Sequence, residues 1–384
     1  MEFSCRRENL SFGVKIAGRA LGTGSNLPIL SGMKFEVMDD RLKLQATDLQ
    51  MTIRCAIPIE NRGENQAVVL NGDLLAKITQ TLPAEEVEIY TVSDEENRAE
   101  LKCGGVTFDL FLLPLEDYPE ISALPEAKLI ALDKDRFQQS LYQTEFAALS
   151  TTETSRLSLT GVNLLIEDDR LRLVATNGYR LALKEQRLDT PSSAHGAYLI
   201  DARALKELDR ILAQIHEDQV DLYHENDQLF FQVGEIVLIA KLIEERFPDF
   251  ERVIPRQNEI DITLNRPAFL DALRRIEITA AEESGAVILD YNPTQGAIRI
   301  SSSSSDKGMA EEELAVVEGA SEPIQISFKA EYLMDALRVM ETEEVTLWLA
   351  APEGAGLLEP TIDAEAQDAP DAGYRYVAMP IRLD

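Results

Sequence analysis

The sequence predicts an α+β chain built from three copies of one domain, each copy holding two helix-plus-sheet halves. Three observations carry this. A strand-turn-strand segment recurs at a shift of 129 positions, a helix-to-strand segment recurs three times, and the length of 384 residues divides evenly by three.

"SGMKFEVMDDRLKLQATDLQMTIR" (31–54) set above "TGVNLLIEDDRLRLVATNGYRLAL" (160–183) matches at eight of 24 positions: Gly32/Gly161, Asp39/Asp168, Asp40/Asp169, Arg41/Arg170, Leu42/Leu171, Leu44/Leu173, Ala46/Ala175 and Thr47/Thr176. Alternating apolar residues around an Asp-Asp pair predict strand, turn, strand in both. A third copy, "GAVILDYNPTQGAIRISSSSS" from Gly285, keeps the plan with an Asn-Pro turn. The other half of the unit follows in "NGDLLAKITQTLPAEEVEIY" (71–90), "DARALKELDRILAQIHEDQVDLY" (201–223) and "KAEYLMDALRVMETEEVTLWL" (329–349), each an amphipathic helix, an acidic turn and a strand. Val87, Val220 and Val345 open those strands, 133 and 125 residues apart. Proline-bearing connectors at 118–128 and 247–259 place the domains at 1–127, 128–256 and 257–384. "SSSSSDKG" (301–308) reads as a mobile loop, and the acidic stretch 359–373 as unable to build a core.

Composition narrows the function. No apolar run reaches a membrane span and the N-terminus lacks a secretory core, so the chain is expected in the cytosol. Cys5, Cys55 and Cys103 have no metal-ligand spacing, and His195, His216 and His224 form no ligand or general-base pattern. No cofactor or metal is expected. A formal charge of −31 argues, at face value, against a nucleic-acid partner.

"ATNGYRLAL" (175–183) interrupts a half-buried strand with an Asn-Gly signal, a tyrosine and an arginine. Alone it reads as a hairpin turn. With "LPILSGMKFEV" (27–37), "KLIEERFPDFERVIP" (241–255) and "YVAMPIRL" (376–383), however, it resembles the bacterial DNA polymerase sliding clamp family, the beta subunit of DNA polymerase III. The motifs fall in all three domains, so the resemblance covers essentially the whole chain.

The resemblance implies three clamp domains, each with two helices backed by antiparallel sheets. Two chains would close head to tail around duplex DNA, as a non-catalytic processivity factor opened by a separate ATP-driven loader. A ring needs positive charge only on its inner wall. The six predicted helical windows together carry +3, leaving −34 elsewhere. Helices bearing Arg6, Arg7, Lys15, Arg19, Lys77, Arg136, Arg203, Lys206, Arg210, Arg266, Arg274, Arg275 and Arg338 are the expected inner wall, and Arg156 is added by family position.

The family also implies a pocket for short motifs of the polymerase and other partners, typically a glutamine followed by aliphatic and aromatic residues. Carried over, it comprises Leu159, Thr176, Gly178, Tyr179, Arg180, Leu181, Pro248, Arg252, Val253, Val377, Ala378, Met379, Pro380, Ile381 and Arg382. Here Gly178 would let backbone approach a ligand, and Arg180 and Arg252 would bond a peptide's polar end. "GVTFDLFLL" (105–113) is apolar on both faces, as in a strand covered on both sides or one pairing across a subunit boundary. By family position Phe108 and Leu110 would meet Ile276 and Ile278 of a second chain.

Departures from the family pattern are Gly24 for a DNA-facing arginine, Tyr179 for histidine, Val106 and Thr107 for basic residues, and Asp384 after the usual final leucine. Two other readings stand beside the clamp. One is an enzyme using Asp48 or Asp168/Asp169 as acid and base; the other is a repeat scaffold that binds peptides but not DNA. No catalytic triad, phosphate loop or zinc pattern supports the enzyme.

Overall fold

The computed structural model describes residues 1–22, 24, 26–92, 97–189, 192, 195–256, 259–363, 366 and 369–382. Asp384 and part of the acidic stretch at 359–373 lie outside the described residues. Among the described residues six α-helices form where amphipathic windows predict them: α1 (Arg7–Ala17), α2 (Gly72–Thr81), α3 (Lys134–Tyr142), α4 (Ala202–Leu212), α5 (Arg266–Ile276) and α6 (Ala330–Arg338). Two starts are written in side chains. Asn71 accepts the Leu74 N–H at 2.8 Å and Asn265 that of Ala268 at 3.1 Å, which satisfies N–H groups that no helical turn can reach. On α4, Leu205, Leu208, Ile211 and Leu212 are buried while Arg203, Lys206 and Arg210 stay exposed. Each such leucine contributes about 1.5–3 kcal/mol by leaving water.

The chain divides into two compact units, Met1–Lys134 with Arg210–Leu242 and Asp135–Asp209 with Ile243–Asp384. The middle repeat is therefore shared, because its strands pair with those of its neighbours. In the first unit Met51–Pro58 pairs with Ile236–Lys241, Thr52 opposite Ile239, within a 13-stranded sheet. In the second, Arg180–Arg187 pairs with Tyr374–Ala378, Leu181 opposite Val377, within a 12-stranded sheet. All recorded pairings are antiparallel. α1 packs on α2 in the first unit and α5 on α6 in the second. No helix is long and apolar enough to cross a membrane among the described residues.

The repeated Asp-Asp turns are hairpin turns: Asp39 and Asp168 adopt φ of 51° and 48°, the left-handed region that aspartate tolerates. These positions, and Asp48, whose carboxylate accepts the Gln50 and Met51 N–H groups, are turn-formers rather than an acid-base pair.

The expectation for the serine run is overturned. The serine run is not a mobile loop: Ser301–Ser304 continue the strand Ala297–Ser304 and pair with Gly308–Gly319, leaving only 305–307 as the turn. The ladder satisfies the backbone, and buried Ser302 donates its hydroxyl to the Ile276 carbonyl at 2.5 Å at the end of α5. A small hydroxyl side chain fits there, so low complexity does not mean disorder.

Candidate functional site

The turn at 176–180 is built by its own side chains. Thr176 Oγ1 donates to the Arg180 carbonyl at 2.6 Å and accepts the Gly178 N–H at 3.0 Å, while Asn177 Oδ1 accepts the Tyr179 and Arg180 N–H groups, both at 2.9 Å. Gly178 has φ 90°, and a Cβ there would meet nothing within 4 Å. Its glycine serves the backbone angle. The same turn stands one repeat earlier, where Thr47 and Asp48 make the corresponding bonds around Leu49, φ 74°.

What differs between the two copies is the sheet face beside the turn. In the second unit Val174, Leu181, Leu183, Phe250, Leu357 and Val377 form one apolar cluster, flanked by Leu165, Phe247, Ile254, Trp348 and Ala355. Phe247 and Phe250 meet edge to face, with ring centroids 6.3 Å apart. One repeat earlier, Glu36, Gln45, Thr52 and Arg54 occupy the positions of Leu165, Val174, Leu181 and Leu183. There Arg54 bonds Gln45 Oε1 at 2.9 Å and the Ile121 carbonyl at 3.2 Å, inside a cleft of about 630 Å³ lined by both charged and apolar side chains. One fold thus carries an apolar cluster on this face in one unit and charged side chains in the other; the family resemblance places the partner groove at the apolar cluster.

Exposed apolar residues ring the groove: Tyr179 at 66%, with Val253 and Met379. Leu181 and Val377 are buried in its floor, Ala378, opposite Arg180, is buried on the other face of the sheet, and Thr176 is buried in the turn. Leu159 is buried in the short turn Leu157–Leu159, where the Ser158 N–H bonds Glu245 Oε2 at 2.8 Å and holds that carboxyl below its usual range. Pro248 is half-buried, and Arg252 is exposed and paired with Asp249 at 2.8 Å. The tail leaves its strand after Ala378. Met379 N–H donates to the Tyr179 carbonyl at 2.9 Å, Ile381 N–H to the Ser327 carbonyl at 2.9 Å, and Arg382 pairs with Glu353. Pro380 falls between these bonds, where its missing N–H leaves no gap in a ladder.

Arg180 corrects the sequence reading. Its side chain is only 10% exposed and bonds Asp335 at 2.6 Å and the Phe146 carbonyl at 2.8 Å, with Tyr332 under the guanidinium at 4.6 Å. Alternation along the strand sends Leu181 and Leu183 to the groove and Arg180 to the helix-bearing face, so it cannot meet a ligand in the groove. The acidic stretch is likewise anchored on that second face. Lys184 Nζ donates to the Pro370 and Ala372 carbonyls at 2.5 and 2.7 Å, and buried Asp371 accepts from Gln143 Nε2 and from the Glu341 and Thr342 N–H groups.

Burial pushes the Lys184 ammonium down to about 8. Below that pH the group is charged whether folded or unfolded, and the burial penalty is fully present. Between about 8 and the unfolded value the unfolded chain holds the proton more tightly, so stability rises with pH. The neutral amine still has two N–H bonds for the two carbonyls. The wild-type unfolding midpoint is therefore expected to gain on that of Lys184→Met between pH 7.5 and 10. A constant difference would contradict the shift.

The proposed subunit-contact residues divide. Leu110 and Ile276 are 4% and 2% exposed within their own folds, and Phe108 is half-buried opposite Leu101. They pack the cores, since the strand's inward phase is set by its pairing with Ala99 and Leu101. The residue on the outward phase is Phe111, 79% exposed, which sequence reading passed over although the strand's two apolar faces signalled it. Ile278 is 70% exposed, as placed. Residues 106–111 pair only with 98–103, and 308–315 only with 297–304, so each strand has an unpaired edge among the described residues.

Of the cations, Lys77, Arg156, Arg203, Lys206 and Arg210 are exposed and Arg19 is half-buried. Arg136 is engaged by Asp189 and the Arg187 carbonyl, both at 2.9 Å. Arg266 is turned onto the Leu337 and Thr342 carbonyls, so it ties α5 to the end of α6 rather than lining a surface. Arg275 is held by Glu312, Arg274 by Asp271 and Arg338 by Asp335. Gly24, at φ 80°, faces open space. No metal-ligating cluster occurs among the described residues.

The family model for the DNA polymerase III beta subunit matches in three parts: its N-terminal domain over residues 1–122, its central domain over 131–249 and its C-terminal domain over 251–382. The beta sliding clamps of Staphylococcus epidermidis and Staphylococcus aureus are each 30% identical, covering 100% of this chain and 99% of theirs. Among solved structures, the DNA polymerase III subunit beta of Pseudomonas aeruginosa aligns with TM-score 0.91 at 26% identity, and the sliding clamp of Bacillus subtilis with 0.90 at 28%, both covering 100% of each chain. The Pseudomonas aeruginosa clamp bound to griselimycin aligns with 0.90 at 26% identity, again over 100% of each chain.

Proposed function

Because the chain belongs to the DNA polymerase III beta subunit family, we propose that two copies close head to tail into a ring that encircles duplex DNA. The protein is a DNA sliding clamp, a non-catalytic processivity factor. In the ring the unpaired edge at 106–111 of one chain meets that at 308–315 of the other, with Phe111 and Met309 as exposed apolar contacts. Such a contact joins two different surfaces, and it closes only if the rotation does. Arg203, Lys206 and Arg210, one exposed stripe on α4, face the DNA together with Lys77, Arg19, Arg156 and the partly neutralised Arg136. A modest number of cations suits sliding, because each neutralised phosphate strengthens binding through counterion release. The chain works in the cytoplasm, with no membrane partner.

The apolar groove beside Tyr179 carries the partner reading: it takes short motifs of the replicative polymerase, the ATP-driven loader and other DNA-processing proteins. Its mouth offers exposed apolar side chains over a buried floor, and Met379 adapts to different apolar groups. A five- or six-residue motif buries little area, so each binds at roughly micromolar affinity and exchanges readily.

Retention tests the ring. Protein loaded on nicked circular plasmid is expected to survive a high-salt wash and to leave once the plasmid is linearised. Equal loss from both forms would point to the scaffold that never threads DNA.

A further inference from the structure

We propose that Arg375 reads the charge of the bound peptide, favouring a carboxylate about two residues from the apolar anchor; this rests on the groove reading above. The sheet face under the groove consists of cross-strand rows. The first runs Leu181, Val377, Leu357, Trp348, and is apolar throughout. In the next row Val174 stands opposite Leu183 and Leu183 opposite Arg375. Arg375 is thus two residues along its strand from Val377 and on the same face, a separation of roughly 6.5–7 Å. An extended peptide covers the same distance in two residues, which puts an acidic side chain over the guanidinium when an apolar one sits over Val377.

Arg375 is also uncommitted in a way that its neighbours are not. Arg172 is held by Glu167 and Glu251, Arg252 by Asp249, Arg382 by Glu353 and Arg180 by Asp335. Arg375 is half-exposed and closes no hydrogen bond or ion pair among the described residues. The carboxylate sharing its surroundings is Glu359, on the strand Gly356–Pro360, two residues beyond Leu357. Burial raises the affinity of Glu359 for its proton and the charge of Arg375 opposes that rise, so the two groups interact although no ion pair closes between them. Against a chain of formal charge −31, a half-exposed guanidinium that closes no ion pair, at the end of an apolar floor, discriminates between peptides of opposite charge.

Calorimetry on the full chain tests this with synthetic heptapeptides carrying glutamine, aliphatic residues and a phenylalanine. One peptide is neutral, two carry Asp two residues before or after the apolar pair, and two carry Lys at the same positions. One of the Asp peptides is expected to bind wild-type protein about 5–10-fold more tightly than its Lys counterpart. Arg375→Leu should abolish that preference while holding the neutral peptide within about twofold, and Arg375→Glu should reverse it. Equal binding of Asp and Lys peptides by the wild type, or a preference that survives Arg375→Glu, overturns the role of Arg375. Loss of the neutral peptide from the wild-type protein would instead overturn the groove itself, and the charge reading with it.

Discussion

Phe111→Asp is expected to convert a dimer into folded monomers. The aromatic ring is 79% exposed in the isolated chain, so its loss removes little internal packing and should move the unfolding midpoint hardly at all. At a subunit contact the same side chain would be buried, and an aspartate there would lie unpaired against apolar groups and the carboxylates of the facing strand, Glu311 and Glu313 among them. Losing a central aromatic anchor typically costs about 2–4 kcal/mol of association, a rise in dissociation constant of roughly 30- to 1,000-fold. Leu110→Asp is the informative companion. Its side chain is in the core opposite Ala99, so the substitution should unfold the N-terminal repeat rather than part the ring. Light scattering at micromolar concentration, paired with thermal melts, separates the two outcomes. An unchanged dimer mass for Phe111→Asp would refute the edge at 106–111 as the contact.

The contrast between Phe111 and Leu110 marks where sequence reasoning stops. Repeats, helices and hairpin turns were legible because each rests on local chemistry: the period of α4 and the paired aspartates at 39/40 and 168/169. The strand 106–113 was legible as a strand, but its phase was not, since both faces are apolar and a one-residue slip exchanges them. Only pairing with Ala99 and Leu101 decides it. Arg180 failed for a related reason. Its backbone belongs to the turn beside the groove, yet its side chain leaves by the opposite face to meet Asp335, 155 residues away. The serine run failed because composition describes an isolated segment, whereas Ser302 is ordered by the end of α5. Phe250 and Leu183 were readable from alternation and from the Phe-Pro-Asp-Phe loop, but no local signal ties Leu357 or Trp348 to them.

Met379→Asp is expected to weaken every groove-binding peptide by about 1–3 kcal/mol, roughly 5- to 150-fold, while sparing the ring. Met379 is half in solvent and its backbone N–H alone is tied, to the Tyr179 carbonyl, so the substitution leaves that bond in place and changes only the apolar wall. Deleting 380–384 removes more: the Ile381 bond to Ser327 and the Arg382 pair with Glu353 both go, and the tail is freed to move away from Tyr179. Truncation should therefore cost at least as much affinity as the point change, although neither alters the buried floor of Leu181 and Val377. The two strand edges proposed to close the ring, at 106–111 and 308–315, contain none of these residues. Dimer mass and retention on nicked circles should accordingly stay normal in both variants, with polymerase-derived peptide binding lost. Undiminished peptide affinity in the truncated protein would mean that the turn at 176–180 does in the second unit only what its copy at Thr47 does in the first, reversing the chain between two strands.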